Sequence, residues 1–154
     1  MTTRVVVADE HEARFYDVES VRAPMHLAAS LEDGAARLHD RDLESDRPGT
    51  AFGINGARSA MDGERSTKKE YIARFARHIA RAIEAARRLH QFDRLVLIAA
   101  PRMLGLIRPH LSQPCRALVA AEIAKDLSDV DARGVRRYVP RSALPKTRGR
   151  IPVH

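Results

Sequence analysis

Hydrophobic residues in this chain are concentrated in five short segments and one long periodic segment. The short segments are rich in β-branched residues or alternate between polar and apolar residues, as strands do. They are residues 4–9, 14–18, 25–31, 94–100 and 119–123. Residues 94–100 form a continuous apolar run, so we expect a central strand that is covered on both faces. Residues 4–9 and 14–18 are joined by a short turn, so we expect them to pair as a hairpin.

The long periodic segment predicts an amphipathic helix. We expect it to begin at Thr67, because Thr67 and Glu70 have the spacing of a capping box. Its apolar stripe is Ile72, Phe75, Ala76, Ile79, Ile83, Ala86 and Leu89 or His90. Its opposite side is basic and comprises Lys69, Arg74, Arg77, Arg81 and Arg88. Two ion pairs are expected on that side, Glu70–Arg74 and Glu84–Arg88.

Shorter helices are predicted between and after the later strands. Proline and capping signals place them from residue 101 to about 109, from 112 to about 118, and from 128 or 129 to 138. This order of elements predicts an α/β fold, with a mixed central β-sheet flanked by helices. We expect one domain over residues 1–139, with a long irregular loop at residues 33–66. Residues 140–154 contain three prolines and no apolar periodicity, so we expect a basic flexible tail whose removal leaves thermal stability nearly unchanged.

The charge of the chain is unevenly distributed. Lys and Arg number 27 and Asp and Glu number 20, which gives a net charge of +7. All seven excess cations follow Asp131, and no acidic residue accompanies them. A neutral body with a basic end points to a polyanionic partner or to a solubilising tail. The sequence has no apolar run of membrane-spanning length and no secretion signal, so we expect a cytoplasmic protein without membrane contact.

Sequence motifs for catalysis or metal binding are weak. His39, Asp40 and Asp42 could offer ligands to a metal, but a charged turn with internal ion pairs explains them more simply. We therefore predict no metal and no cofactor. The single cysteine, Cys115, has no base beside it in the sequence, so we interpret it as an ordinary semi-buried residue. No GxSxG elbow and no phosphate-binding glycine motif is present.

Several strings of the sequence resemble one bacterial protein family. The longest is LHDRDLESDRPGTAF at residues 38–52, and VVAD at 6–9, FDRLVLIAAPR at 92–102 and EIAKDL at 122–127 occur in the same order. Together they resemble the host attachment protein family over about residues 4–138. The resemblance implies that functional positions lie in the 38–60 loop and after the last strand. The candidates are His39, Asp40, Arg41, Asp42, Asp46, Arg47, Gly49, Lys125 and Asp126.

That family is in turn similar to the middle domain of archaeal and eukaryotic class-1 release factors. Those domains carry a Gly-Gly-Gln loop followed by a long basic helix. The matching stretch here, residues 55–60, has Gly56 but lacks the second glycine and the glutamine. The resemblance therefore implies the fold, and a ribosome, rRNA or tRNA surface as partner, but it does not carry over peptide release.

Three hypotheses for function follow from the sequence. The first is a non-catalytic cytoplasmic factor that binds RNA or the ribosome through the 38–60 loop, the basic helix face and the tail. Its candidate contacts are Arg58, Arg74, Arg77, Arg81, Arg136 and Arg137. The second is a hydrolase that uses Asp40, Asp42 and Asp46 as acid, base or metal ligands. The third is a protein-interaction module in host attachment.

Overall fold

The computed structural model describes residues 1–32 and 60–146, and it describes side chains in the second range from Thr67 onward. The strands are β1 (Thr3–Ala8), β2 (Glu12–Val18), β3 (His26–Glu32), β4 (Arg94–Ala99) and β5 (Val119–Ala124). The α-helices are α1 (Ala60–Arg88), α2 (Pro101–Ile107), α3 (Gln113–Ala117) and α4 (Ala132–Arg136), and 3-10 turns cover Arg108–His110 and Arg141–Ala143. Among the described residues, no helix combines the length and the apolar character needed to cross a lipid bilayer.

The described strands form one mixed sheet in the order β3-β2-β1-β4-β5. The predicted hairpin is confirmed, since β1 pairs antiparallel with β2, with Val6 opposite Phe15. β1 pairs parallel with β4, with Val5 opposite Val96, and β4 pairs parallel with β5. All six residues of β1 are buried, as are five of the six in β4. These two strands therefore need cover on both faces, and the α/β prediction is confirmed.

The long helix α1 covers one face of the sheet. Its predicted apolar stripe is buried from Ile72 to Ala86, against strand residues such as Val6 and Leu97. The helix begins at Ala60, so the predicted start at Thr67 is wrong. Residues 60–66 include alanine, methionine, glutamate and arginine, which are good helix formers and allow the helix to extend past the capping-box pattern.

The helix ends in a hydrogen-bonding pattern typical of a Schellman motif. His90 has a positive φ of 56°, its N–H bonds to the Arg87 carbonyl, and the Gln91 N–H bonds to the Ala86 carbonyl. This left-handed turn directs the chain away from the helix axis toward β4. Leu89 is consequently 68% exposed and does not continue the stripe.

The C-terminal part of the described chain covers the opposite face of the sheet. Leu127, Val135, Val139 and Leu144 pack there with strand residues that include Val5. Arg14 fixes the start of this layer, because its guanidinium donates to the carbonyls of residues 127, 128 and 130. Asp131, rather than residue 128 or 129, caps the last α-helix by accepting from the Gly134 N–H at 2.9 Å.

The prediction of a flexible tail from residue 140 is wrong for the first part of that segment. Ala143 and Leu144 are buried, and the Thr3 hydroxyl donates to the Ala143 carbonyl at 2.7 Å. The Arg94 guanidinium donates to the carbonyl of Ser142, and the Val21 N–H donates to that of Pro145. Two apolar side chains are too few to produce a visible periodicity, yet they complete the cover of β1 and β4. Residues 147–154 lie outside the described residues.

A truncation series tests this docking. A chain that ends after Val139 should melt at least about 5 °C below the full chain. It loses the burial of Leu144, worth roughly 2 kcal/mol, together with the Thr3 hydrogen bond, and each kcal/mol shifts the melting temperature by about 2–4 °C at this chain length. A chain that ends after Lys146 is the matched control and should melt like the full protein. Equal melting temperatures for both truncations would contradict the docked segment.

Candidate anion-binding groove

A cleft of about 420 Å³ lies between the outer side of α1 and the turn that precedes α3. The helix contributes residues spaced three and four apart, which share one side of a helix. The lining residues, which we call the basic groove, are Arg77, Ala80, Arg81, Glu84, Ala85, Arg88, His110 and Ser112. The groove therefore carries three arginines and one histidine against a single carboxylate.

Glu84 joins the two walls of the groove. Its carboxylate accepts from the Arg87 guanidinium at 2.7 Å, from Arg88 at 3.1 Å and from the Ser112 hydroxyl at 2.7 Å. The predicted Glu84–Arg88 ion pair is thus confirmed. The Ser112 oxygen also accepts from the Cys115 N–H, which confirms the predicted cap of α3. One serine therefore caps the short helix and ties it to α1.

These contacts decide what Glu84 can do chemically. The hydrogen bond from Arg87, and next that from Ser112, lower the pKa of the Glu84 carboxyl to about 2. A carboxylate of such low basicity is a poor proton acceptor, and it holds no proton to donate near neutral pH. Glu84 therefore serves as a permanently ionised anchor and gives the groove no general acid or base.

Arg77 and Arg81 complete the positive side of the groove. Both side chains are exposed, and no carboxylate among the described residues pairs with either of them. His110 adds an exposed imidazole on the opposite wall. A planar guanidinium offers a fork of N–H donors that fits phosphate and carboxylate groups. The arrangement is suited to binding an anion in a concave site.

The basic helix face continues beyond the groove to Arg74. The Arg74 guanidinium lies 5.3 Å from the centroid of the Tyr71 ring. The ion pair predicted between Glu70 and Arg74 does not form between these two described side chains, because Arg74 is directed over the ring instead. Arg74, Arg77 and Arg81 nevertheless form one exposed row, as their spacing predicts.

The other predicted site residues do not join this groove. Eight fall outside the described residues: His39, Asp40, Arg41, Asp42, Asp46, Arg47, Gly49 and Arg58. Lys125 lies 5.8 Å from the centroid of the Tyr138 ring. Asp126 accepts two hydrogen bonds from Ser128, and the one from the hydroxyl is the main cause of its lowered pKa. Both residues follow β5 and shape the turn after it.

Arg136 and Arg137 belong to the layer on the opposite face of the sheet. Arg136 is half-buried and donates to the Val21 carbonyl, so it has a structural partner. Arg137 is exposed. The structure thus separates these two candidates from Arg74, Arg77 and Arg81.

Sequence reasoning missed two members of the groove, His110 and Ser112, and one ion pair beside it, Glu84–Arg87. His110 and Ser112 reach α1 from a turn more than 20 positions along the chain. Arg87 was not assigned to Glu84, although its i,i+3 spacing signals such a pair. The Ser112 capping signal was recognised, but not its contact with Glu84.

Cys115 lies buried behind the groove. Burial, and next the negative charge of Glu84, raise the pKa of its thiol to about 11. The thiol is therefore protonated and inaccessible, and Cys115 is more deeply buried than the semi-buried residue expected from the sequence. No cluster of three or more His, Cys, Asp or Glu side chains in the described ranges has the arrangement of a metal site.

Acid titration tests the role of Glu84. The folded-state pKa of about 2 lies below the unfolded value of 4.5, so the stabilisation is complete above about pH 4.5 and disappears as the pH falls toward 2. Glu84→Gln should lower the melting temperature at pH 7 by about 2–4 °C, for a loss of about 1 kcal/mol. The difference in melting temperature between the variant and the wild type should shrink below pH 4.5. A difference that stays constant down to pH 2 would contradict the ion-paired state.

Thiol labelling tests the environment of Cys115. In the folded protein at pH 8, iodoacetamide should alkylate Cys115 at least about 100-fold more slowly than in denaturant, because the thiolate is the reactive form and the sulfur is buried. Intact-mass measurement over time gives both rates. Equal rates in the two conditions would show an accessible thiol.

Two comparisons with known proteins extend over most of the chain, including the groove. A family model described as "Protein required for attachment to host cells" matches residues 4–139. The uncharacterized protein RP470 of Rickettsia prowazekii (strain Madrid E) is 26% identical over 142 residues, an alignment that covers 88% of this chain and 90% of that protein. The family match includes α1 through α4 and every described strand except the first residue of β1, Thr3. The chain therefore belongs to the family of proteins required for attachment to host cells.

Proposed function

We propose that this protein binds single-stranded RNA through the basic groove and acts as a ribosome- or tRNA-associated factor without catalytic activity of its own. The observation that carries the proposal is the state of the charges in the groove. The oxygens of its only acid, Glu84, are occupied by Arg87, Arg88 and Ser112. Arg77 and Arg81 have no carboxylate partner among the described residues and remain available to an external anion.

The shape of the basic surface favours a polymer with repeated phosphates. Arg74, Arg77 and Arg81 form a row along α1 that is about 10 Å long at a rise of 1.5 Å per residue. A single compact anion fills only one position of such a row, whereas a strand presents a phosphate to each. The concave part beside His110 falls within the volume range of ligand sites, roughly 300–1,000 Å³, and has room for a nucleotide unit.

The pKa values of Glu84 and Cys115 argue against a catalytic role for these two residues. The Glu84 carboxyl has a low pKa and the Cys115 thiol a high one, so neither residue supplies a base or nucleophile near neutral pH. The ribosome or tRNA surface is proposed as the source of the RNA only because the sequence motifs resemble release-factor middle domains. The hydrolase hypothesis rests on Asp40, Asp42 and Asp46, which lie outside the described residues.

A site-resolved titration tests the proposal. Amide resonances of ¹⁵N-labelled protein are followed while a single-stranded RNA of about six nucleotides, a typical single-strand site size, is added at several salt concentrations. Amides of Ala80, Ala85 and Ser112 should shift. The logarithm of the affinity should fall against the logarithm of salt with a slope of about −2, since each of three arginine–phosphate contacts contributes about −0.7.

Two variants separate charge from geometry. The triple change Arg74→Ala, Arg77→Ala, Arg81→Ala should abolish the groove shifts and leave the fold intact, because alanine is the best helix former at exposed positions. The matched Arg→Lys triple variant keeps the charge and should retain the slope with weaker affinity. If groove amides of the wild type do not shift even at low salt, the proposal fails.

A further inference from the structure

We infer that the C-terminal layer carries a second single-stranded RNA site, and that one chain holds two RNA segments at once, on opposite faces of its sheet. The inference rests on the proposed function for the nature of the ligand. We define the C-terminal basic surface as Arg133, Arg137, Tyr138, Arg141 and Lys146, which are all exposed.

The charge of this surface is predominantly positive. Residues 132–146 contain five cations and no acid. Arg133 and Arg137 are four residues apart along α4 and the turn that ends it, so they lie on the same side, while Val135 and Val139 point into the core. Asp131 borders this surface and keeps its negative charge while its carboxylate accepts from the Gly134 N–H as the helix cap, so the four cations of the surface outnumber this acid. The side chain of Arg136 is directed to the Val21 carbonyl and is left out of the surface.

An aromatic ring distinguishes this surface from a simple cationic patch. Tyr138 is 43% exposed, and Lys125 Nζ lies 5.8 Å from its ring centroid. Single-strand-binding proteins combine cations for the backbone with aromatic rings on which bases stack. An acidic peptide has no base to place on such a ring. We therefore assign single-stranded RNA, rather than an acidic protein segment, to this surface.

The two basic surfaces cannot share one short strand. Successive residues of a strand point to opposite faces of the sheet. In β1, Val6 faces the layer of α1, whereas Val5 faces the layer of residues 127–144. Packed layers are separated by about 10 Å, so the outer surfaces of the two layers are at least about 20 Å apart. The core between them is closed to solvent, and a strand can connect them only by passing around an edge of the sheet.

The number of strands bound per chain tests the inference. Analytical ultracentrifugation with an RNA of about six nucleotides should show two RNA molecules on one chain at saturation. The change Arg133→Ala, Arg137→Ala, Arg141→Ala should reduce this number to one, and so should the Arg74, Arg77 and Arg81 triple variant. A variant that combines both sets of three substitutions should bind no RNA. The Arg→Lys version of the C-terminal triple variant is the control and should still bind two.

Energy transfer supplies an independent readout. Donor- and acceptor-labelled RNAs mixed with wild type should show transfer, which either alanine triple variant should remove. Sedimentation of the same samples shows whether the complex contains one chain. Transfer that occurs only in complexes of two chains would overturn the inference.

The possible failures are distinguishable. If wild type binds one RNA and the C-terminal triple variant binds it equally well, the second site is refuted and the proposed function of the groove stands. If wild type binds one RNA and each of the two triple variants abolishes binding, the two surfaces form one continuous site. This result would overturn the two-segment arrangement. If no RNA binds at low salt, both the inference and the proposed function are lost.

Discussion

The burial of β1 and β4 on both faces is the constraint that organises this fold. Val5 and Val96 point to one face, and Val6 and Leu97 point to the other. Leaving either face open would expose a continuous apolar surface, at a cost of roughly 25 cal/mol for each Å². The chain meets this constraint with two unlike layers, one led by the long α1 and the other built from short pieces between residues 127 and 145. Each layer turns its basic side chains outward, and this places cations on both outer surfaces of the molecule.

Glu84 organises the basic groove in the way that the burial of β1 and β4 organises the fold. It attaches the turn before α3 to α1 through Ser112, and it binds Arg87 and Arg88. A single carboxylate thus fixes the position of the wall that carries His110, while it leaves Arg77 and Arg81 unneutralised. The position of this acid therefore separates the structural arginines from those available for binding.

Sequence patterns predicted most of the elements, because periodicity reports which side of an element is buried. The stripe from Ile72 to Ala86 and the apolar run of β4 are examples. The docking of Ala143 and Leu144 was missed, since it depends on Thr3 and Arg94, which are distant in the sequence. The basic groove shows the same difference between features set by local spacing and features set by contacts that are distant in the sequence. The row of Arg74, Arg77 and Arg81 follows from helical spacing, whereas His110 and Ser112 are brought to the groove by tertiary structure alone.

The fold also changes the meaning of the charge distribution. Counted along the chain, residues 1–131 are neutral and the excess of +7 follows them, which suggests a single basic end. In the structure, the described part of that end forms the surface opposite α1, while the basic groove lies in the neutral part of the chain. The Debye length is about 8 Å at physiological ionic strength, which is shorter than the separation of at least about 20 Å that two packed layers impose. The cations of one surface are therefore screened from the other, so the positive potential at each surface is set by its own local charge.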